Sequence, residues 1–428
     1  MRISRRAVVA AAVLATVLPL SACGGGADSG SSDASGKVEG KITFQTWNLQ
    51  ANFKDYFNGV IADFEKKYPG TDVKWVDRPA EGYADKISAD AAGGTLPDVV
   101  NVSPDLLAPL AKAGLALDLD TSASQYRDEY LPGAWQSDQV PGLEGTYAFP
   151  WYLNTGPMFY NKRLFKEAGL DPEKPPTTYD DVFAAGLKLA ERSKGKIATL
   201  ANVPTIEDFG RYGAELTTKD GTGFAFNDAK GVELLTKYKE LYDAKALDPQ
   251  ALTATPESSG HKFLTESVAM NPGSALDLTN FKKQAPNLYK NIGITDQVTN
   301  TGKVNMYVMG VMVNARTKQK PAAVAFAHFV TDATRQMAFA KQVAIFPSTA
   351  GSLDDPYFTK EDGTDETRVR IAAAKSLKNA VNYTPVQFSD QMKTELGNEV
   401  AKALQGKQSP KEALDNAVKA CDRLLQQS

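Results

Sequence analysis

Between residues 41 and 114 the hydrophobic period alternates between the two-residue repeat of a strand and the 3.6-residue repeat of a helix, and this alternation restricts the fold more than any other feature. ITFQTW (42–47) alternates like a strand. Phe53, Phe57, Val60, Ile61 and Phe64 then recur at helical spacing until Pro69-Gly70 stops them. VKWV reads as a second strand, followed by a helix around Tyr83 and Ile87 that ends at Gly93-Gly94. DVVNV is a third strand, after which Ser103 is placed to cap a helix with Pro104 in its first turn, Leu106, Leu107 and Leu110 inward, and Gly114 just past its end. Short strands joined by helices predict an α/β fold with a mostly parallel sheet covered on both faces, and a ligand crevice at the carboxyl ends of the strands.

The pattern changes at AFPWYLNTGPMFYNKRLFKEAGL (148–170), where aromatic residues occupy both faces of a strand around an Asn-Thr-Gly-Pro break. Beyond it lie a helix capped within PPTTYDDV, a strand near 197–201, and helices around 209–216 and 232–242. SVAMNPGS gives a strand broken at Pro272-Gly273, and VNMYVMGVMVNA (304–315) a long apolar strand with Gly310 inside it, where glycine often marks a close approach. The last stretch is helical, with Phe388, Met392, Leu396, Val400 and Leu404 at four-residue steps and a final helix burying Leu414, Ala417, Val418, Cys421 and Leu425. A folded part of roughly 390 residues exceeds what one core comfortably fills and predicts two lobes.

The first residues place three arginines before an apolar run over 7–20, too short for a hydrocarbon core of about 30 Å but suited to a signal peptide. Leu20-Ser21-Ala22-Cys23 resembles the lipobox of bacterial lipoproteins, in which Cys23 becomes the lipidated first residue. Ser4-Arg5-Arg6 resembles a twin-arginine signal, but Val8 stands where that pattern prefers Phe, so both export routes remain open. The Gly/Ser-rich residues 23–40 lack the apolar surface to order themselves and read as a flexible tether. A lipidated Cys23 leaves Cys421 without a disulfide partner, so the fold rests on its core.

Removing Arg2, Arg5 and Arg6 takes the formal net charge from −3 to −6 and leaves no basic stripe, which argues against nucleic acid as a partner. The two histidines, His261 and His328, are far apart in sequence and suggest neither a metal cluster nor a Cys-His pair. G-x-S-x-G, H-E-x-x-H and the glycine-rich phosphate loops are absent from the sequence. That pattern favours binding without chemistry. A surface-anchored glycan hydrolase with a carboxylate pair stays open at this stage, because Asp and Glu are plentiful and their separation in space is invisible in sequence.

Read in order, KITFQTWN, FEKKYPGTDVKW, DKISADAAGGTLPDVVNVSPD, FPWYLNTGPMFYNKRLFKEAGLD, PPTTYDDV, ESVAMNPGS, VMGVMVNARTKQKPAAVAFAHFVTD and SPKEALDNAVKAC resemble the family-1, maltose-binding-protein-like extracellular solute-binding proteins of ABC importers. The resemblance implies a two-lobed, type II periplasmic-binding-protein-like fold closing over a ligand. It divides the chain into a signal peptide (1–22), the tether (23–40), lobe one (41–147 with 302–349) and lobe two (148–301 with 350–428). It further implies a monomer without cofactor or metal. Such a protein would be held by its lipid to the outer face of the cytoplasmic membrane of a Gram-positive bacterium, and would pass a carbohydrate to an ABC permease.

Carried over by position, the ligand contacts would be Trp47, Asn48 and Gln50 after the first strand and Asp105 after the third. Trp151 and Asn154 would follow on the crossing strand, then Asp208 and Arg211 at a helix start, Ser274 after the Pro-Gly break, and Gly310 by backbone approach. Aromatic rings suit sugars because a pyranose offers an apolar C–H face, while its hydroxyls need a few polar partners. Ser274-Ala275-Leu276-Asp277 stands where many sugar binders place a Trp, and Asn101-Val102 where some have an aromatic, which favours a mono- or disaccharide over a long chain. A peptide or a phosphorylated polyol is the alternative cargo, and for phosphate Arg211 is the visible cation.

Overall fold

The structure is a computed structural model describing residues 35–253 and 256–427; Cys23 and the segment carrying the export signals lie outside the described residues. Strand β1 (Gly40–Trp47), helix α1 (Gln50–Lys67), β2 (Thr71–Arg78), α2 (Tyr83–Ala92), β3 (Val99–Val102) and α3 (Pro104–Lys112) follow in the expected order. β1 pairs in parallel with β2 on one side and β3 on the other. Ile42, Phe44 and Val99 point to one face and pack with Phe57 and Phe64 of α1. Val100 and Val102 point to the other and pack with Tyr83 and Ile87 of α2 and Leu107 and Leu110 of α3. Each periodicity has thereby buried its apolar side, with helices on both faces of the sheet.

Six further strands complete two sheets: β4 (Phe149–Asn154), β5 (Met158–Asn161), β6 (Met270–Pro272), β7 (Ile292–Thr295), β8 (Tyr307–Val313) and β9 (Phe346–Pro347). The first sheet has the order β2-β1-β3-β8-β4-β9, and the second β6-β5-β7. The first is mixed, because β8 is antiparallel to both β3 and β4 and β9 is antiparallel to β4. β4 therefore runs with β1 to β3, leaving the sheet at their carboxyl ends, and β8 returns from that same end and must run against them. In the second sheet β5 is antiparallel to both neighbours. The strand expected near 197–201 is reduced to isolated parallel bridges, Ala198 with Val268 and Leu200 with Leu247.

The aromatic stretch is shared among cores. Phe149, Trp151 and Leu153 enter the first core, with a register shift between Pro150 and Tyr152, while Met158 and Tyr160 enter the second and Phe159 a cluster with Phe263 and Phe281. Residues from 350 on, expected with the second lobe, are divided: Leu353, Phe358, Ala373, Ala374, Leu377 and Ala380 join the first core, and Phe388, Met392, Leu396 and Cys421 the second. Among the described residues no helix is long and apolar enough to cross a membrane.

Candidate ligand-binding cleft

At the carboxyl end of the first sheet the chain turns from β1 into α1 through Asn48, whose φ of 52° lies in the left-handed region that Asn tolerates better than most residues. Leu49, at the cap position of α1, has no side-chain acceptor. Asp77 at the end of β2 takes that role, accepting from the backbone N–H groups of Leu49 and Gln50 (3.1 and 2.9 Å) and from Thr46 Oγ1 at 2.6 Å. Trp47 is half-buried with its ring edge-on to Tyr83, centroids 4.7 Å apart, while Asn48 and Gln50 are exposed. Asp105 is exposed in the first turn of α3, and Asn154 is exposed where it faces Tyr307 across the β4–β8 pair. Tyr307 remains 38% exposed. Its phenol is pushed up to about 12, by desolvation first and then by Asp105 of the first lobe and Asp390 of the second, with a Ser103 hydrogen bond opposing.

On the second lobe, Gly156, Tyr179, Asn202, Glu207, Arg211 and Asn271 line, with others, a cavity of about 340 Å3. Asp208 and Arg211 both reach it, on the helix Ile206–Tyr212. Asp208 is saturated: Oδ1 accepts from Tyr179 Oη and Arg211 Nη2, both at 2.6 Å, and Oδ2 from Thr205 N and Oγ1 at 2.7 and 3.0 Å. Arg211 Nη1 donates to the Val298 carbonyl at 3.2 Å, but Nε is buried without a partner. Burial opposes the charge on Arg211, yet the surrounding Tyr179 and Asp208 hold it protonated and raise its pKa. Burial, then Asp208, raises both the Tyr179 and Tyr238 phenols. Arg211 thus reaches the cavity as a paired cation with one guanidinium nitrogen, Nε, lacking a protein partner.

Three of the sequence-derived positions have other jobs. Trp151 is 1% exposed, wedged among Phe44, Phe57 and Phe339 at 5.8 to 6.3 Å, so no ring face is left for a ligand. Protein packing alone accounts for Gly310: a Cβ there would sit 2.8 Å from that of Ala148 and 3.2 Å from Asp138 Oδ1. Ser274 caps the helix Ala275–Gln284 in a reciprocal box with Asp277 and lines a small crevice beside Phe346 and Tyr357; its neighbour Gly273 lines the main cavity. Trp47, Asn48, Gln50, Asp105 and Asn154 lie at the first sheet's carboxyl end and do not line this cavity. Sequence reading missed Tyr179, Asn202, Glu207, Asn271, Gln297 and Asn305, although Tyr179 lies inside the PPTTYDDV stretch.

Residues 50–337 match the family model of the bacterial extracellular solute-binding proteins. The chain belongs to that family. A solute-binding protein of this kind is similar to a binding protein of Brucella abortus at 25% identity over 264 residues, covering 60% of this chain and 63%, or less than two thirds, of that protein's length. It is also 25% identical to the sn-glycerol-3-phosphate-binding periplasmic protein UgpB of Shigella dysenteriae, over 91% of this chain and 94% of that one. The sugar-binding protein MalE of Xanthomonas citri superposes with a TM-score of 0.72 at 18% identity, covering 91% of this chain and 98% of that one, a likeness of fold. The two-lobed architecture expected from sequence is the architecture of these relatives.

Proposed function

We propose that this solute-binding protein captures a neutral carbohydrate, a mono-, di- or short oligosaccharide, between its lobes and hands it to an ABC permease. It would be tethered to the membrane by a lipid on Cys23. The observation that supports a neutral cargo is the charge of the cavity: among the described residues Arg211 is its sole cationic lining residue, against Glu207 and Asp208, and Arg211 is already tied to Asp208 at 2.6 Å. A phosphate would meet a cation whose charge is already paired, beside Glu207, whereas a hydroxyl or ring oxygen needs only one N–H from Arg211, such as that on Nε. The first-lobe contacts in this reading are Trp47, Asn48, Gln50, Asp105 and Asn154, with Tyr307 added. Closure would be a ligand-driven shift between open and closed forms, the permease recognising the closed one.

The relatives named for sn-glycerol-3-phosphate keep a phosphorylated polyol as the second reading, with Arg211 as its anchor. A thermal-shift panel of mono- and disaccharides, oligosaccharides, peptides and glycerol phosphates separates the two. Binding to the native state adds about 4 kcal/mol at a thousandfold excess over Kd, a rise easily seen. A sugar response with silence from glycerol phosphate supports the proposal, and the reverse pattern overturns it.

A further inference from the structure

Three segments pass between the lobes: residues 154–158 from β4 to β5, residues 295–307 from β7 to β8, and residues 377–388 after the helix Asp365–Leu377. One side chain joins the first two. Gln297 Nε2 lies 2.7 Å from Thr155 Oγ1, 3.2 Å from the Gly156 carbonyl and 3.1 Å from the Asn305 carbonyl, and Gln297 Oε1 accepts from Asn305 N at 3.0 Å. Thr155 Oγ1 closes the ring by donating to the Asn305 carbonyl at 2.9 Å. Asn305 carries the third segment: its Oδ1 accepts from Tyr383 N at 3.0 Å, and on either side of it Val381 N donates to the Val304 carbonyl and Met306 N to the Val381 carbonyl.

A rotation of one lobe against the other would be absorbed by backbone torsions in these segments, since among the described residues they are where the chain passes from one core to the other. A neutral amide side chain carries both a donor and an acceptor, and here it meets the backbone N–H and C=O of Asn305 at once while gripping the neighbouring segment. Gly156, Gln297 and Asn305 also line the Arg211 cavity. The wall of the cavity and the pivot are therefore built from the same residues.

We infer that Gln297 is a positioning residue, a hydrogen-bonded clasp that sets the angle between the lobes before ligand arrives and joins the cavity to the hinge. The inference rests on reading the lobes as moving parts of a binding protein. Losing the clasp lowers the fraction of molecules poised to bind, which weakens apparent affinity by that fraction.

The test needs no ligand. Spin labels on Lys112→Cys and Lys393→Cys, exposed sites on the two lobes, report the interlobe distance by pulsed electron resonance in the full chain carrying Cys23→Ser; Cys421 is buried and takes no label. Gln297→Ala is expected to broaden the ligand-free distance distribution about twofold and shift its centre. Gln297→Glu should do more, because a carboxylate would face the carbonyl oxygens of Gly156 and Asn305 with no donor. Thr155→Val, which removes two of the bonds without touching Gln297, should shift it the same way and stands in should Gln297→Ala fail to fold. A lowered melting temperature with an unchanged distribution makes Gln297 merely structural and overturns the inference. Wild-type distances that respond to a sugar but to none of these substitutions also overturn it and leave the binding reading intact. Distances that respond to Gln297→Ala and to no sugar keep the clasp and remove the cargo reading.

Discussion

Arg211 Nη2 sits 2.6 Å from Asp208 Oδ1 on the same helix, three residues apart, with both side chains about 15% exposed. The pair is held from outside by Thr205 and Tyr179, so the carboxylate orients the guanidinium and leaves Nε as a buried nitrogen with no protein partner. This arrangement makes the two residues unequal in function.

Replacing Arg211 by Ala should weaken sugar binding by about 10- to 100-fold, as expected for loss of a hydrogen bond from a charged donor worth about 1.5–3 kcal/mol. Lys at this position keeps the charge but cannot reproduce the fork to Asp208 and Val298, and should lose most of the same affinity. Titration calorimetry with the best sugar from the panel checks both. Asp208→Asn, acting through Arg211, should weaken binding less.

Trp151 and Trp47 should separate stability from binding. Trp151→Ala opens a cavity in the first core and should cost about 3–5 kcal/mol in denaturant unfolding. Trp47→Ala removes a half-buried ring at the edge of the sheet and should change affinity while costing much less stability. Equal losses of stability in the two variants would remove the distinction drawn here.

Asp138 gives a pH signature. Its carboxyl is 1% exposed, Oδ2 has no hydrogen-bond partner, and burial raises its pKa well above the usual carboxylate value. In acid, both folded and unfolded chains carry the proton. As pH rises past the unfolded value the unfolded chain releases it and the fold does not, so stability is lost with rising pH. Asp138→Asn should therefore gain stability relative to wild type as pH rises above the ordinary carboxylate value of about 4. Parallel stability curves for the two proteins would contradict this.

Cys421 is buried beside the Met392 carbonyl, and burial, then Asp422 and Glu395, push its thiol up to about 12. It should resist alkylation at pH 8 in the folded protein and react only on unfolding. Cys23→Ala should release the exported protein from the membrane fraction, which tests the proposed anchor.

The alternation from residue 41 to 114 placed β1 to β3 and α1 to α3 because each element buries one regular face, and period is what sequence displays directly. The reversal of β8 was not legible there, since it follows from re-entry at the cleft end and not from local pattern. Trp151 and Gly310 misled for one reason: an aromatic or a glycine inside a strand signals close packing without saying whether ligand or protein supplies the neighbour. Arg211 and Asp208 could be placed together at a helix start. That Asp208 is filled by Thr205 and Tyr179 depends on Tyr179 arriving from another helix, 29 residues away in the chain. Gln297 had no signal, as a lone amide between strands looks like a surface residue until its three partners are assembled.

The central claim is that a neutral sugar is held at the Arg211 cavity of the second lobe, with the first lobe closing over it. The most direct measurement is a crystal structure with the strongest sugar from the thermal-shift panel. The account predicts a sugar oxygen within hydrogen-bond distance of Arg211 Nε, with Trp47 and Tyr307 approaching from the first lobe and the Gln297 clasp in place. A sugar seated away from Arg211, or a phosphate group occupying that nitrogen in place of any sugar, would contradict it.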